Sequence, residues 1–199
     1  MKIKKVFSKS TYLPNQKSYN ELIDYDYKFN AAFRSCDVLP KSFLQSDEWR
    51  FIKYYRKFQC NKGNIWEKIY IKRLHSLSMK TGIDVENNTS IGKGLIVGHW
   101  GRIVINGMAH FGNELFITHG VTIGRDTRGK RKGVPTFGDR VCIRTNSTVV
   151  GNVHIGNDVL IAPNTFVNFD VPDHSIVIGN PASVHYRDNA TEGHIPKID

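Results

Sequence analysis

Three histidines lie in the glycine-rich segment GHWGRIVINGMAHFGNELFITHG, and two of them have a spacing that suits chemistry. His99 and His119 each follow a β-branched residue by two positions and lie twenty residues apart. A neutral imidazole can take a proton from an attacking hydroxyl group if a hydrogen bond fixes its tautomer. Asp84, fifteen residues before His99, is the acid that we expect to provide that bond. The pattern predicts His99 as a general base and Trp100 as a wall of its site.

The elements that must position these histidines are visible as a six-residue period. Apolar residues recur at steps of six in three blocks: Val85, Ile91, Val97; Ile105, Phe111, Ile117, Ile123; and Phe137, Ile143, Val149, Ile155, Ile161, Val167. This period fits neither an α-helix nor a hairpin meander. It predicts a left-handed parallel β-helix in which three hexapeptides close one triangular coil.

Stacked coils would bring His99 and His119 together, because parallel strands lie about 4.8 Å apart. The condition is that the two residues inserted between Val97 and Ile105 follow His99. His110 and His154 directly precede inward residues, so we expect both to face solvent.

The chain before the repeat has a different spacing of apolar residues. Helical spacing is visible over Ser46–Phe58 and over Asn64–Met79, with Asn64 as a plausible N-cap and Gly82 as a stop. We therefore predict a mainly β protein with an α-helical N-terminal region (1–80), a β-helix (81–181) and a C-terminal tail (182–199).

Charge is concentrated in one insertion. The net charge is +10, and the segment 125–136, which interrupts the repeat, carries five cations and one acid. A solenoid accepts insertions as external loops at its corners. We expect Arg125, Lys130, Arg131 and Lys132 to attract an anionic acceptor. A basic module that binds nucleic acid is an alternative, but charge is its only support, so no nucleic-acid partner is predicted.

Composition and cysteine spacing indicate the cellular compartment. No run of eighteen apolar residues is present, and the basic N-terminus lacks the apolar core of a secretion signal. Cys36, Cys60 and Cys142 are widely spaced and predict free thiols. We expect a cytoplasmic protein without a transmembrane segment.

The repeat region resembles a known family. The stretches GIDVENNTSIGKGLIVGHWGRIVINGMAHFGNELFITHGVTIG and PTFGDRVCIRTNSTVVGNVHIGNDVLIAPNTFVNFDVPDHSIVIGNPA are similar to hexapeptide-repeat acyltransferases of the serine acetyltransferase branch. The resemblance covers about residues 82–183 and includes GID, the histidine fifteen residues later, GVTIG, an external loop and a closing GNPA.

The resemblance implies an acetyl-CoA-dependent transferase that forms a homotrimer, or a dimer of trimers, and needs no metal. It also implies that His99 is the general base and that Asp84 orients it. Aligned with the small corner residues of the family are the residues expected to bind coenzyme A: Arg144, Thr145, Ala162 and Pro163. Arg187 is expected to meet the 3′-phosphate of coenzyme A.

Two departures from the family pattern concern the acceptor. Gly98 replaces the aspartate that usually precedes the catalytic histidine, and Gly133, Val134 and Pro135 replace an Arg-His-Pro that contributes to amino-acid binding. His119 stands where the family usually has glutamine. We therefore expect a sugar or polysaccharide hydroxyl as the acceptor, with His119 lining its site. Serine O-acetylation for cysteine biosynthesis is the alternative.

A metal lyase of the β-helix carbonic anhydrase type is a more remote alternative. Such an enzyme needs a third histidine five residues after one of the others, and Gly124 occupies that position.

Overall fold

The computed structural model describes residues 16–198, with side chains from residue 18 onwards. In these residues the helices are α1 (Gln16–Phe33), α2 (Lys41–Leu44), α3 (Asp47–Cys60) and α4 (Ile65–Thr81). The side chain of Ser46 accepts a hydrogen bond from the Trp49 N–H and caps α3. Asn64 caps α4 in the same way, and Gly82 ends it in the left-handed conformation. The two predicted helices are confirmed. Among the helices of residues 16–198, none has the length and apolar character needed to cross a bilayer.

The rest of the chain winds into a parallel β-helix with three faces, which confirms the predicted fold class. Face A contains β1 (Ile83–Val85), β4 (Ile103–Ile105), β7 (Thr122–Gly124), β10 (Thr148–Val150) and β13 (Phe166–Val167). Face B contains β2 (Ser90–Ile91), β5 (His110–Phe111), β8 (Thr136–Phe137) and β11 (His154–Ile155). Face C contains β3 (Leu95–Val97), β6 (Leu115–Ile117), β9 (Val141–Ile143), β12 (Val159–Ile161), β14 (Ser175–Gly179) and β15 (Ala182–Tyr186).

The last strand differs from the others. β15 runs antiparallel to β14 and pairs with it over its whole length. The predicted boundary at residue 181 therefore falls inside a β-hairpin, and paired β-structure continues to Tyr186. The reversed strand covers the edge of face C that the last parallel strand would leave unpaired. A hexapeptide period cannot predict such a reversal.

The predicted inward residues form the core. Ile117, Ile143 and Ile161 are fully buried, and the rings of Phe111 and Phe137 stack with their centroids 4.4 Å apart. His110 and His154 are exposed on face B, as predicted.

A buried ion pair attaches the helices to the first coil. Asp26 in α1 and Arg56 in α3 are both fully buried, and Arg56 Nε donates to Asp26 Oδ2 at 2.7 Å. Asp26 Oδ1 also accepts the N–H groups of Gly94 and Leu95, and Arg56 Nη1 donates to the Ile91 carbonyl. Burial alone would lower the pKa of Arg56, but the Asp26 carboxylate raises it above its ordinary value, so the pair stays charged. Because both charged groups of this pair are hydrogen-bonded to the first coil as well as to each other, the pair fixes how α1 and α3 pack on that coil.

A second core lies outside the coils. The outward side chains of face C are buried under Phe29 of α1 and under Ile195 of the C-terminal segment. These outward residues are Ile96, Phe116, Cys142 and Leu160. The sequence period did not predict this core, because it separates inward from outward positions but does not show which outward positions another element will cover.

Candidate active site

The turn from face C to face A, which we call the CA corner, repeats from coil to coil. Backbone hydrogen bonds stack successive turns: Gly120 donates to Gly101, Asn146 to His119, and Asn164 to Thr145, at 2.8–3.1 Å. His119 therefore lies in one column with Thr145 and Pro163 on the next two coils, and the ring of His99 reaches the same column from the coil before.

The two histidines are neighbours in this column. Their ring centroids lie 6.0 Å apart with an interplanar angle of 66°. Val97 pairs with Ile117, twenty residues on, whereas Val104 pairs with Thr122, eighteen residues on. The two additional residues therefore lie between Val97 and Val104. Gly120 N–H binds the Gly101 carbonyl as Asn146 N–H binds that of His119, so Gly101, not His99, lies opposite His119 in the backbone register. The predicted position of the insertion, after His99, is therefore wrong, although the two rings are neighbours. Within residues 16–198, no group of three or more His, Cys, Asp or Glu side chains is placed to hold a metal ion.

A shallow depression of about 260 Å³ opens beside the histidines. Its lining consists of Trp100, Gly101, Arg102, His119, Gly120 and Asn146. Trp100 is about half exposed and forms one wall, where the sequence placed it. The volume is below the range of about 300–1,000 Å³ that is usual for drug-sized ligands, so the depression suits a small acceptor.

The residues expected to bind coenzyme A continue the same corner. Arg144 and Thr145 form the turn one coil beyond His119, and Ala162 and Pro163 form the next one. The Thr145 hydroxyl lies 3.2 Å from the hydroxyl of Thr118, the residue before His119. These four residues are thus contiguous with the histidines.

Arg187 approaches this set through the C-terminal segment. The pKa of His194 is lowered by burial and then by the positive charges of Arg144 and Arg187. The side chains of both arginines therefore lie close enough to His194 to act on it. Two positive charges at this place would attract a phosphate group.

Asp84 is placed differently from the expectation. It is exposed on β1, paired in register with Val104, and lines a separate cleft of about 430 Å³ with Leu74, His75 and other residues of α4. Among residues 16–198, no hydrogen bond joins Asp84 to His99, so the expected bond is not formed in the single chain. The reason is that alternation along β1 points Asp84 out of face A, whereas His99 lies in the turn beyond a strand of face C.

The basic insertion is an ordered hairpin at another corner. Asp126 and Gly133 exchange backbone hydrogen bonds at 2.9 and 3.0 Å, and Asn152 N–H donates to the Arg131 carbonyl at 2.8 Å. The hairpin leaves the coil between faces A and B. Its exposed cations Arg125, Lys130, Arg131 and Lys132 are therefore absent from the lining of the depression within one chain.

The sequence analysis did not single out two residues of the depression, Arg102 and Asn146. A signal for Arg102 was present, because it belongs to the turn that is two residues longer than its equivalents and follows His99 directly. Asn146 carried no signal beyond its place at a corner.

Comparisons with known proteins bear on the fold and on the acceptor. No family model matches the chain. Serine acetyltransferase 4 of Arabidopsis thaliana is 37% identical over 159 residues, which are 77% of this chain and 44% of that protein. The crystal structure of Neisseria gonorrhoeae serine acetyltransferase in complex with serine superposes with a TM-score of 0.68 at 25% identity, covering 84% of this chain and 69% of that chain. A serine acetyltransferase in complex with CoA gives a TM-score of 0.71, covering 85% and 71%, and at 22% identity shows the fold alone.

The chain spans about half the length of the curated relatives that it matches, from 44% to 63%. These relatives are named serine acetyltransferases. The expectation of a sugar or polysaccharide acceptor is therefore wrong, and the serine alternative is favoured. The physical reason for the error is that Gly98 and the segment Gly133-Val134-Pro135 show only which family contacts are absent, and an absent contact does not identify a different acceptor.

Proposed function

We propose that this chain is an acetyl-CoA-dependent acyltransferase that transfers the acetyl group to the hydroxyl group of serine. The observation that carries the proposal is the CA corner, where the histidine pair, the depression and the expected coenzyme A residues form one continuous surface. The similarity to serine acetyltransferases over 159 residues supports serine as the acceptor.

His99 acts as the general base in a direct transfer. Its free ring nitrogen takes the proton of the serine hydroxyl while the oxygen attacks the thioester carbonyl carbon of acetyl-CoA. The resulting tetrahedral oxyanion is stabilised by backbone N–H donors of the corner. The carbon–sulfur bond then breaks, coenzyme A leaves with the proton returned by the imidazolium, and O-acetylserine and neutral His99 remain. No covalent enzyme intermediate is required.

Coenzyme A lies along the CA corner in this proposal. Thr145, Ala162 and Pro163 present small side chains and backbone groups to its pantetheine arm, Arg144 adds a guanidinium group, and Arg187 attracts a phosphate group. Asp84 orients His99 only after a rearrangement on substrate binding, because catalytic hydrogen bonds can tighten when a ligand arrives. A homotrimer and a cytoplasmic location stay predictions.

The experiment is an acetyl-transfer assay with the purified protein. We expect release of the coenzyme A thiol to depend on serine, with O-acetylserine detected by mass spectrometry. Matched reactions without serine, and with alanine in its place, measure hydrolysis of acetyl-CoA. Coenzyme A release at the same rate in all three reactions would show that the proposal is wrong.

A further inference from the structure

Arg102 has a backbone conformation that is uncommon for its side chain. Its φ is +50°, in the left-handed region, which is sterically unfavourable for a residue with a Cβ atom. The same corner position has positive φ on the next three coils, at Gly120, Asn146 and Asn164, so the repeat imposes this conformation and places a charged side chain only at Arg102. Here the neighbouring coil holds the backbone, because a Cβ atom added at Gly82 would lie 2.8 Å from the Arg102 nitrogen.

The side chains of the other charged or titratable residues with positive φ form ion pairs with each other. In residues 16–198, the charged or titratable residues with positive φ are Arg102, Glu114, Arg140, Asp158 and His174. Glu114 binds Arg140 at 2.5 Å, and Asp158 binds His174 at 2.9 Å. Arg102 differs from these four, since no ion pair or hydrogen bond of its guanidinium group is found among the described residues.

The position of Arg102 brings it beside the proposed acceptor. It is exposed, and it lines the depression together with Trp100 and His119. It also belongs to the longer turn that follows His99. No acidic side chain lines this depression within the described residues, so a guanidinium group there is available to an anionic ligand group.

We propose that Arg102 binds the α-carboxylate of the acceptor amino acid and so selects serine over hydroxyl compounds without a carboxylate. The inference rests on the proposed function and names a residue that determines its specificity. Guanidinium and carboxylate groups match in a bidentate geometry that lysine does not provide. This role supplies the cation that Gly133, Val134 and Pro135 lack relative to the family pattern.

The test compares serine with serinamide, which keeps the hydroxyl and ammonium groups and has no carboxylate. The variants are Arg102→Gly and Arg102→Lys. Glycine adopts positive φ without strain, so Arg102→Gly should fold, and its thermal denaturation is measured alongside. We expect Arg102→Gly to raise the KM for serine about 10- to 100-fold, the usual cost of a lost charge-assisted hydrogen bond. Its kcat/KM for serinamide should stay within about 3-fold, and Arg102→Lys should restore part of the loss.

Arg128→Gly is the matched control, because it removes an exposed cation from the hairpin at another corner. It should leave the KM for serine unchanged. An unchanged serine KM in Arg102→Gly, or equal losses with serine and serinamide, would overturn the inference while leaving the proposed function intact. If the unaltered protein acetylates neither compound, the proposed function itself fails.

Discussion

Two corners of the same β-helix treat their polar side chains in opposite ways. At the turn from face B to face C, the BC corner, each coil supplies an amide or carboxylate oxygen to a backbone N–H of the coil before it. Asp139 accepts from Asn113 at 2.6 Å, Asn157 from Asp139 at 2.8 Å, and Asp173 from Asn157 at 2.7 Å. The charged residues with positive φ at this corner are bound in pairs.

The CA corner has similar turns but leaves its polar groups available. His99, His119 and Arg102 are exposed, and within residues 16–198 none of them has a hydrogen-bond partner for its side chain. A polar group that the fold binds contributes to stability, whereas one that the fold positions without binding is available to a ligand. The repeat builds both corners in the same way. They differ in whether the polar side chains are bound within the fold, as at the BC corner, or are left available to bind a ligand, as at the CA corner.

The largest expected effect tests the CA corner. His99→Ala should lower kcat by about 10²- to 10⁴-fold, because it removes a general base. The melting temperature should change little, since His99 is exposed. Steady-state kinetics and thermal denaturation check both expectations. His110→Ala, at an exposed position on face B, is the matched control, and normal kcat in His99→Ala would exclude the general-base role.

The next effect belongs to the BC corner. Asp158 accepts hydrogen bonds from the Thr191 hydroxyl and from the N–H groups of Ala190 and Thr191, which attach the C-terminal segment. Asp158→Ala leaves these buried donors unsatisfied and should lower the free energy of unfolding by about 2–3 kcal/mol. Urea denaturation measures it, with Asp37→Ala at an exposed position as the control. An unchanged midpoint of urea denaturation would show that the bound side chain of Asp158 does not stabilise the BC corner, and the contrast between the two corners would be wrong.

The Asp158 carboxylate and its hydrogen-bond partners also predict how stability depends on pH. Burial would raise the pKa of Asp158, but hydrogen bonds from Thr191 and His174 lower it below its ordinary value of 3.8. The carboxylate therefore contributes stability above pH 3.8, and that contribution is lost as the pH falls through the lowered pKa. The difference in unfolding free energy between the unaltered protein and Asp158→Ala should shrink in that acidic range and stay constant from pH 5 to 6.

Asp84→Asn should have an intermediate effect at the CA corner. The orienting charge is lost while the base remains, so we expect a decrease in kcat of about 10-fold, which corresponds to about 1.4 kcal/mol. A loss as large as that of His99→Ala would show that the two roles are reversed.

The smallest kinetic effects concern His119 and the hairpin. His119→Gln should change kcat or the serine KM by a few fold without changing the melting temperature.

Replacing Lys130, Arg131 and Lys132 by Ser should leave the serine KM unchanged, because serine has no net charge and the hairpin lies at another corner. A serine KM that rises in the triple variant and depends on salt would place the hairpin in the acceptor site of an assembled oligomer.

The sequence by itself determined the repeat and its consequences. A side chain every sixth position must point inward, so the buried residues and the corners follow from spacing alone. The caps Ser46 and Asn64 likewise fix helix starts through bonds only two or three residues long.

Only the tertiary structure decided which outward residues are covered and which polar groups stay available. The burial of face C depends on contacts between distant parts of the chain, such as the Asp26–Arg56 pair and the attachment of Thr191 to Asp158. The separation of Asp84 from His99 and the position of Arg102 in the depression depend on how turns of unequal length pack across neighbouring coils. Local periodicity carries no information about these contacts, because they form between elements whose sequences are independent of each other.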